Sequence, residues 1–169
     1  MKQFFADLHV HIGRAGNGLP VKITAARSLT VANILEECIV RKGIEVVGIV
    51  DASSPHVQSD LDRLIESGFL RQIEDGGLIY KDLVTLILGG EVETTDRVKG
   101  PEGDYKARSA HCLCYFPHLK NIKKFTRELS LPGRVKNTGL SSQKSNLTMQ
   151  GLWEIANSLG GIMILAHAF

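Results

Sequence analysis

An α/β fold with a mainly parallel sheet or barrel is what this sequence predicts. Three observations carry the expectation. Helical patterns follow most of the strand patterns. The strands are apolar almost throughout, as strands covered on both faces are. Metal-ligand side chains also recur at strand ends, where barrels assemble their sites. With 169 residues and 18.5 kDa, the chain has the size of one ordinary domain or part of a larger one.

Gln3 to His11 predicts the first strand, with apolar–polar alternation from Ala6 onward. A glycine-rich loop runs from Gly13 to Pro20. Thr30 can cap a helix over Val31 to Lys42, with Val31, Ile34, Leu35, Cys38 and Ile39 on one face and Gly43 as the stop. Ile44 to Val50 predicts the second strand. Ser59 can cap the next helix, which would bury Leu61, Leu64 and Ile65. After the turn at Asp75-Gly76-Gly77, Leu83 to Leu88 predicts a third strand closed by Gly89-Gly90. The charged, glycine-bearing stretch from Thr94 to Arg108 predicts an exposed loop. Ala110 to Phe116 predicts a fourth strand, leading into a basic helix with Ile122, Phe125 and Leu129 inward. Pro132 to Asn146 predicts loop. Thr148 then caps a helix stapled by Leu147 and Leu152, and Ile162 to Ala166 is the fifth strand. A closed barrel needs more strands than these five, so the expectation is the N-terminal piece of a longer protein.

Hydrophobic residues at 43% and charged residues at 22% exclude a disordered, collagen-like or coiled-coil chain. No apolar run reaches the roughly 18 residues of a membrane helix, and the N-terminus lacks a signal-peptide core. Cys38, Cys112 and Cys114 cannot all pair with one another, so a reducing cytoplasm is expected. The net charge of +2 is uneven: seven basic residues and one acid lie between His118 and Lys144. That segment is either a solvated helix and loop or a phosphate-facing patch carrying Lys120, Lys123, Lys124 and Arg127.

His9 and His11 are spaced i and i+2 on a strand, so both leave one face and can meet one cation. By the same count Asp7 shares that face. Asp51 ends the second strand, with His56 beyond it. Glu91 and Glu93 follow the third strand, His111 opens the fourth, and His167 closes the fifth. Five of six histidines fit one pattern, which points to a polynuclear metal site.

His9-Val10-His11 resembles the first motif of the PHP (polymerase and histidinol phosphatase) superfamily of metal-dependent phosphoesterases. Val47 to Asp51, with His56 beyond, resembles the second motif, although four residues separate acid and histidine that are often adjacent in the family. Gly89-Gly90-Glu91-Val92-Glu93 is similar to the third, in which Glu91 aligns with a metal-bridging glutamate. Ala110-His111-Cys112-Leu113 and Ala166-His167-Ala168 resemble later motifs. Within the superfamily, Val21 to Arg27, Arg41 to Asp51, Cys112 to Pro117, Leu140 to Gln143 and Ala166 to Phe169 resemble the endonuclease Q-like family of cytosolic DNA-repair nucleases.

That resemblance implies a distorted (βα)7 barrel of PHP type, present only as its N-terminal portion. Residues 1–169 would form a phosphoesterase domain incomplete at the C-terminus, since the family completes its site with a late Asp-x-His on a further strand. It implies two or three divalent ions (Zn, Mn or Mg) in the complete site, held by His9, His11, Asp51, His56, Glu91, His111 and His167. His9, His11 and Glu91 would be the catalytic set. Histidine-rich ligation also admits Fe and disfavours Ca. The activity implied is hydrolysis of DNA 5′ of a deaminated base, with DNA as partner and no membrane. Two rivals stand beside it: a phosphatase for a small phosphomonoester, and a non-catalytic DNA-binding module of the same fold.

Overall fold

The computed structural model describes residues 3–135 and 143–167. The opening alternation forms β1 (Ala6–Val10), which pairs in parallel with β2 (Val46–Ile49). Between them lies α1 (Val31–Glu37), capped where the Thr30 hydroxyl accepts from the Asn33 amide. The expected helix reaches Lys42, but its last turn, Cys38–Lys42, widens to π geometry before Gly43 (φ 63°) stops it. Strand β2 leads into α2 (Pro55–Glu66). The cap position is Ser54, not Ser59: Pro55 at the first helical position has a preset φ and no amide to leave unpaired.

Two short strands that the sequence reading did not anticipate follow, β3 (Arg71–Gln72) and β4 (Leu78–Tyr80), antiparallel to each other. The third expected strand is β5 (Val84–Lys99), parallel to β2, antiparallel to β4 and far longer than Leu83 to Leu88. Gly89 and Gly90 do not close it. A Cβ at Gly89 would stand 2.7 Å from the Tyr115 ring, and one at Gly90 would stand 3.0 Å from Ser53. These glycines mark close approaches within a strand rather than its end. The expected loop from Thr94 to Arg108 is instead the outer half of a hairpin. β6 (Tyr105–Phe116) pairs antiparallel with β5 without a break from Leu88↔Phe116 to Lys99↔Tyr105. Its charged residues suit a ribbon wetted on both faces, so polarity alone misled.

α3 (Leu119–Leu129) follows, then β7 (Gln143–Lys144) beside β5, α4 (Met149–Ser158) under its Thr148 cap, and β8 (Ile162–Leu165) antiparallel to β6. The expected loop of residues 132–146 thus contains a short strand. Leu140, Ser141 and Ser142 of the family resemblance lie outside the described residues, as do Ala168 and Phe169. The sheet is mixed rather than mainly parallel, and among the described residues β1 and β8 each pair with one neighbour, leaving it open. No described helix is long and apolar enough to cross a membrane.

The two faces of the sheet differ. Leu86, Leu88, Val92, Cys112, Cys114 and Phe116 are buried beneath the four helices together with Leu35, Leu61, Phe125 and Leu152. The alternate positions belong to the opposite face, where Val50, Leu113, Tyr115 and Ala166 form a small cluster with Ile87. Ile162 and Ile164 stay exposed there. Across this face the Tyr115 hydroxyl donates to the Leu8 carbonyl, tying β6 back to β1 over the glycine at position 89. Burial, with the nearby charges of Asp7, Cys114 and Glu91, pushes the Tyr115 phenol up to about 12, so it remains a donor at neutral pH.

Candidate metal centre

Strand β1 delivers the histidine pair, but through an irregularity. Its register with β2 shifts between Asp7 and Val10, so strict alternation fails there. Asp7 turns its carboxylate back to accept from the His9 amide at 3.1 Å and belongs to neither ligand group described below. His11 lies just past the strand, and its Nδ1 is 3.0 Å from Asp51 Oδ2, which also accepts from the Ile12 amide at 2.7 Å. With Nδ1–H donating to Asp51, His11 presents the Nε2 lone pair outward, an arrangement carboxylates commonly impose on metal-binding imidazoles. Asp51 itself is fixed at the end of β2 by the bridge that pairs it with Gly90.

Glu91 sits at the centre. His11 Nε2 lies 3.4 Å from its Oε2, His9 Nε2 3.7 Å from its Oε1, and His111 Nδ1 2.8 Å from the same Oε1. The His167 ring stands 5.1 Å from that of His9 and 5.6 Å from that of His111, centroid to centroid. Two groups of potential ligands result, one of His9, His11 and Glu91 and the other of Glu91, His111 and His167. Within each, the ligand atoms lie within 4.8 Å of one another. His167 follows β8 with a left-handed backbone (φ 50°), a conformation that costs a non-glycine residue energy and clusters at functional sites.

The electrostatics suit a cation. Burial holds the His9 imidazole below its ordinary value, against the raising charge of Glu91, and His11 and His167 add to the lowering. A neutral imidazole keeps a lone pair for a metal. Burial alone would raise Glu91. The His111 hydrogen bond and the nearby charges of His11, Lys22 and His111 outweigh it and hold the carboxyl below the usual range. Asp51 Oδ1 and Glu91 Oε2 are buried and accept no hydrogen bond among the described residues. Buried carboxylate oxygens seldom stay without a donor, and divalent cations held among four imidazoles and Glu91 would satisfy the Glu91 oxygen.

His9, His11, Glu91, His111 and His167 are therefore brought together, with Asp51 behind His11. His56 is not: it occupies the first turn of α2 and joins neither group. The four intervening residues place it on the helix rather than at the strand end. Glu93 lies on the same face as Glu91 but turns toward Lys144 at 3.9 Å. His111 lies within β6 opposite Glu93, not at a strand start.

Lys120, Lys123, Lys124 and Arg127 are all on α3, whose apolar side packs under the helix-covered face, whereas Glu91 and His111 project from the other. Lys123 pairs with Asp62 at 2.6 Å. Lys22 is a neighbour that sequence reading missed. Its Nζ comes within 3.6 Å of Glu91 Oε2, and its side chain is only 17% exposed. A lone lysine after a glycine-rich loop has no spacing that would announce it.

No family model matches the chain. It is 42% identical over 170 residues to the uncharacterized protein YqxK of Bacillus subtilis, across all of this chain and 41% of that protein. The chain thus spans about two-fifths of that relative's length. Among solved structures it is similar to the lesion-specific endonuclease PfuEndoQ from Pyrococcus furiosus, with a TM-score of 0.72 and 25% identity over 98% of this chain and 34% of that one. It is also similar to Endonuclease Q in complex with a 27-mer duplex carrying an abasic lesion at the active site. There the TM-score is 0.73 and the identity 26%, over 98% of this chain and 35% of that one.

Proposed function

We propose that this chain is the N-terminal, metal-holding portion of a PHP-type phosphodiesterase, a DNA-repair endonuclease that cuts 5′ of deaminated bases. The observation that carries the proposal is Glu91, a buried carboxylate shared by two separate ligand groups, one oxygen of which accepts no hydrogen bond. A glutamate so placed suits a bridge between two cations. The likeness to a lesion-specific endonuclease over nearly the whole chain supports the substrate class, and so does the likeness to a duplex-bound form. The resemblance of the motifs supports the barrel, with the open sheet as its first part. Buried, unpaired Cys38, Cys112 and Cys114 support a reducing cytoplasm.

Divalent ions at such a site would supply Lewis acidity, and Zn in particular would lower the pKa of bound water from 15.7 to roughly 7. The chain's own residues do the rest. Asp51 orients the His11 ring and, by accepting from Nδ1–H, would select the tautomer that leaves Nε2 free. Glu91 and the imidazoles of His9, His11, His111 and His167 would hold the ions. Lys22 sets a fixed positive charge beside Glu91, where a phosphodiester oxygen would meet it.

The test is cleavage of a labelled duplex containing one deoxyuridine or one hypoxanthine by the intact protein. A cut 5′ of the altered base is expected, lost with a chelator and restored by Zn or Mn. Glu91→Gln should abolish it. Phosphate release from small phosphomonoesters without any duplex cleavage would overturn the reading in favour of a small-substrate phosphatase.

A further inference from the structure

The outer half of the β5–β6 hairpin extends past the metal centre as a two-stranded ribbon. From the Glu93↔His111 pair to the Lys99↔Tyr105 pair it advances six residues, about 20 Å at 3.4 Å per residue. Its root is braced, because Asp96 accepts from the Met149 amide at the start of α4 and the Thr95 amide donates to Leu147. Beyond that point, among the described residues, the two strands pair only with each other.

Alternation decides what this ribbon presents. The face it shares with Glu91, Glu93 and His111 continues outward through Thr95, Arg97 and Lys99 on β5 and Ser109, Ala107 and Tyr105 on β6. No carboxylate lies on that outward run. Asp96 and Lys106 point the other way, and Asp104 pairs with Lys106. Among the described residues neither Arg97 nor Lys99 joins an ion pair. Tyr105 at the tip is 63% exposed. Two uncommitted cations and an aromatic ring therefore stand in line with the metal ligands, whereas α3 carries its cations behind the sheet.

We infer that this ribbon is an arm that holds duplex DNA against the metal centre, with Arg97 and Lys99 on backbone phosphates and Tyr105 against the sugar–base edge. The inference rests on the nuclease reading of the site. A two-stranded β-ribbon fits the major groove of B-DNA, and its basic side chains reach the flanking phosphates. Phosphate contacts would position the duplex without reading sequence, which suits an enzyme that must find a lesion in any context.

The experiment is anisotropy binding of a fluorescent duplex with one deoxyuridine to the intact protein across a range of salt, alongside cleavage of the same duplex. R97A/K99A should lower the slope of log affinity against log salt by about 2, at about 0.9 per phosphate lost. Its thermal melt should match the wild type, since both side chains are exposed. An unchanged slope, or a loss confined to K120A/K124A, overturns the arm. Wild-type protein that binds with the expected slope, loses it in R97A/K99A, yet never cuts leaves the arm standing and sinks the nuclease reading. Cleavage with an unaltered slope does the reverse.

Discussion

The same strands carry the core on one side of the sheet and the chemistry on the other, and the two sides are built to different rules. Under the helices, residues such as Leu86, Leu88, Phe116 and Phe125 are wholly or almost wholly buried in one continuous cluster. On the opposite side the apolar cluster is small, polar ligands stand next to it, and Ile162 and Ile164 face solvent. One face therefore holds the fold, and the other is free to hold charge without weakening it. Alternation makes the division possible: a two-residue period lets Leu88 and Glu91 share a strand while pointing apart.

The largest effect should come from the helix-covered face. Phe125 is fully buried and its ring centroid lies 4.7 Å from that of Phe116. Phe125→Ala should cost about 3–5 kcal/mol in a urea melt, whether or not metal is present. A cost under 1 kcal/mol would blur the contrast between the faces. Next comes a change on the ligand face that should leave the fold alone. Asp51→Asn keeps an oxygen for the Ile12 amide but removes the charge that orients His11. Affinity for Zn, measured by competition with a chromogenic chelator, should fall about 10–100-fold with little shift in the melt. The smallest effect should be Tyr115→Phe, which deletes the hydroxyl that ties β6 to β1. About 0.5–1.5 kcal/mol of stability should be lost, and a larger cost would show the open face contributing more than its small cluster suggests.

Much of the candidate site was legible because its ligands follow local rules. His9 and His11 are two apart on a strand, and Glu91, His111 and His167 each sit on or beside one of the five expected strands. What was illegible depended on contacts between distant segments. Gly89 and Gly90 looked like a strand end, because nothing local reveals that Tyr115 and Ser53 press against them. The register shift between Asp7 and Val10 broke a period that had put Asp7 beside the histidines. His56 looked like a ligand by motif, but Pro55 starts a helix that carries it off. Lys22 reaches Glu91 only through the folded course of the glycine-rich loop.

The unbroken pairing of β5 with β6 has a mechanical consequence. A strand with no bulge between Leu88 and Lys99 offers no joint at which bending could be absorbed. Glu91 lies near the root of that span and Arg97 well along it, so a torque applied at the tip arrives at the carboxylate rather than dissipating in a hinge. The ribbon acts as a stiff lever whose fulcrum is the Asp96 anchorage on α4. A load on its far end would reach the strand that carries Glu91 with no bulge on the way.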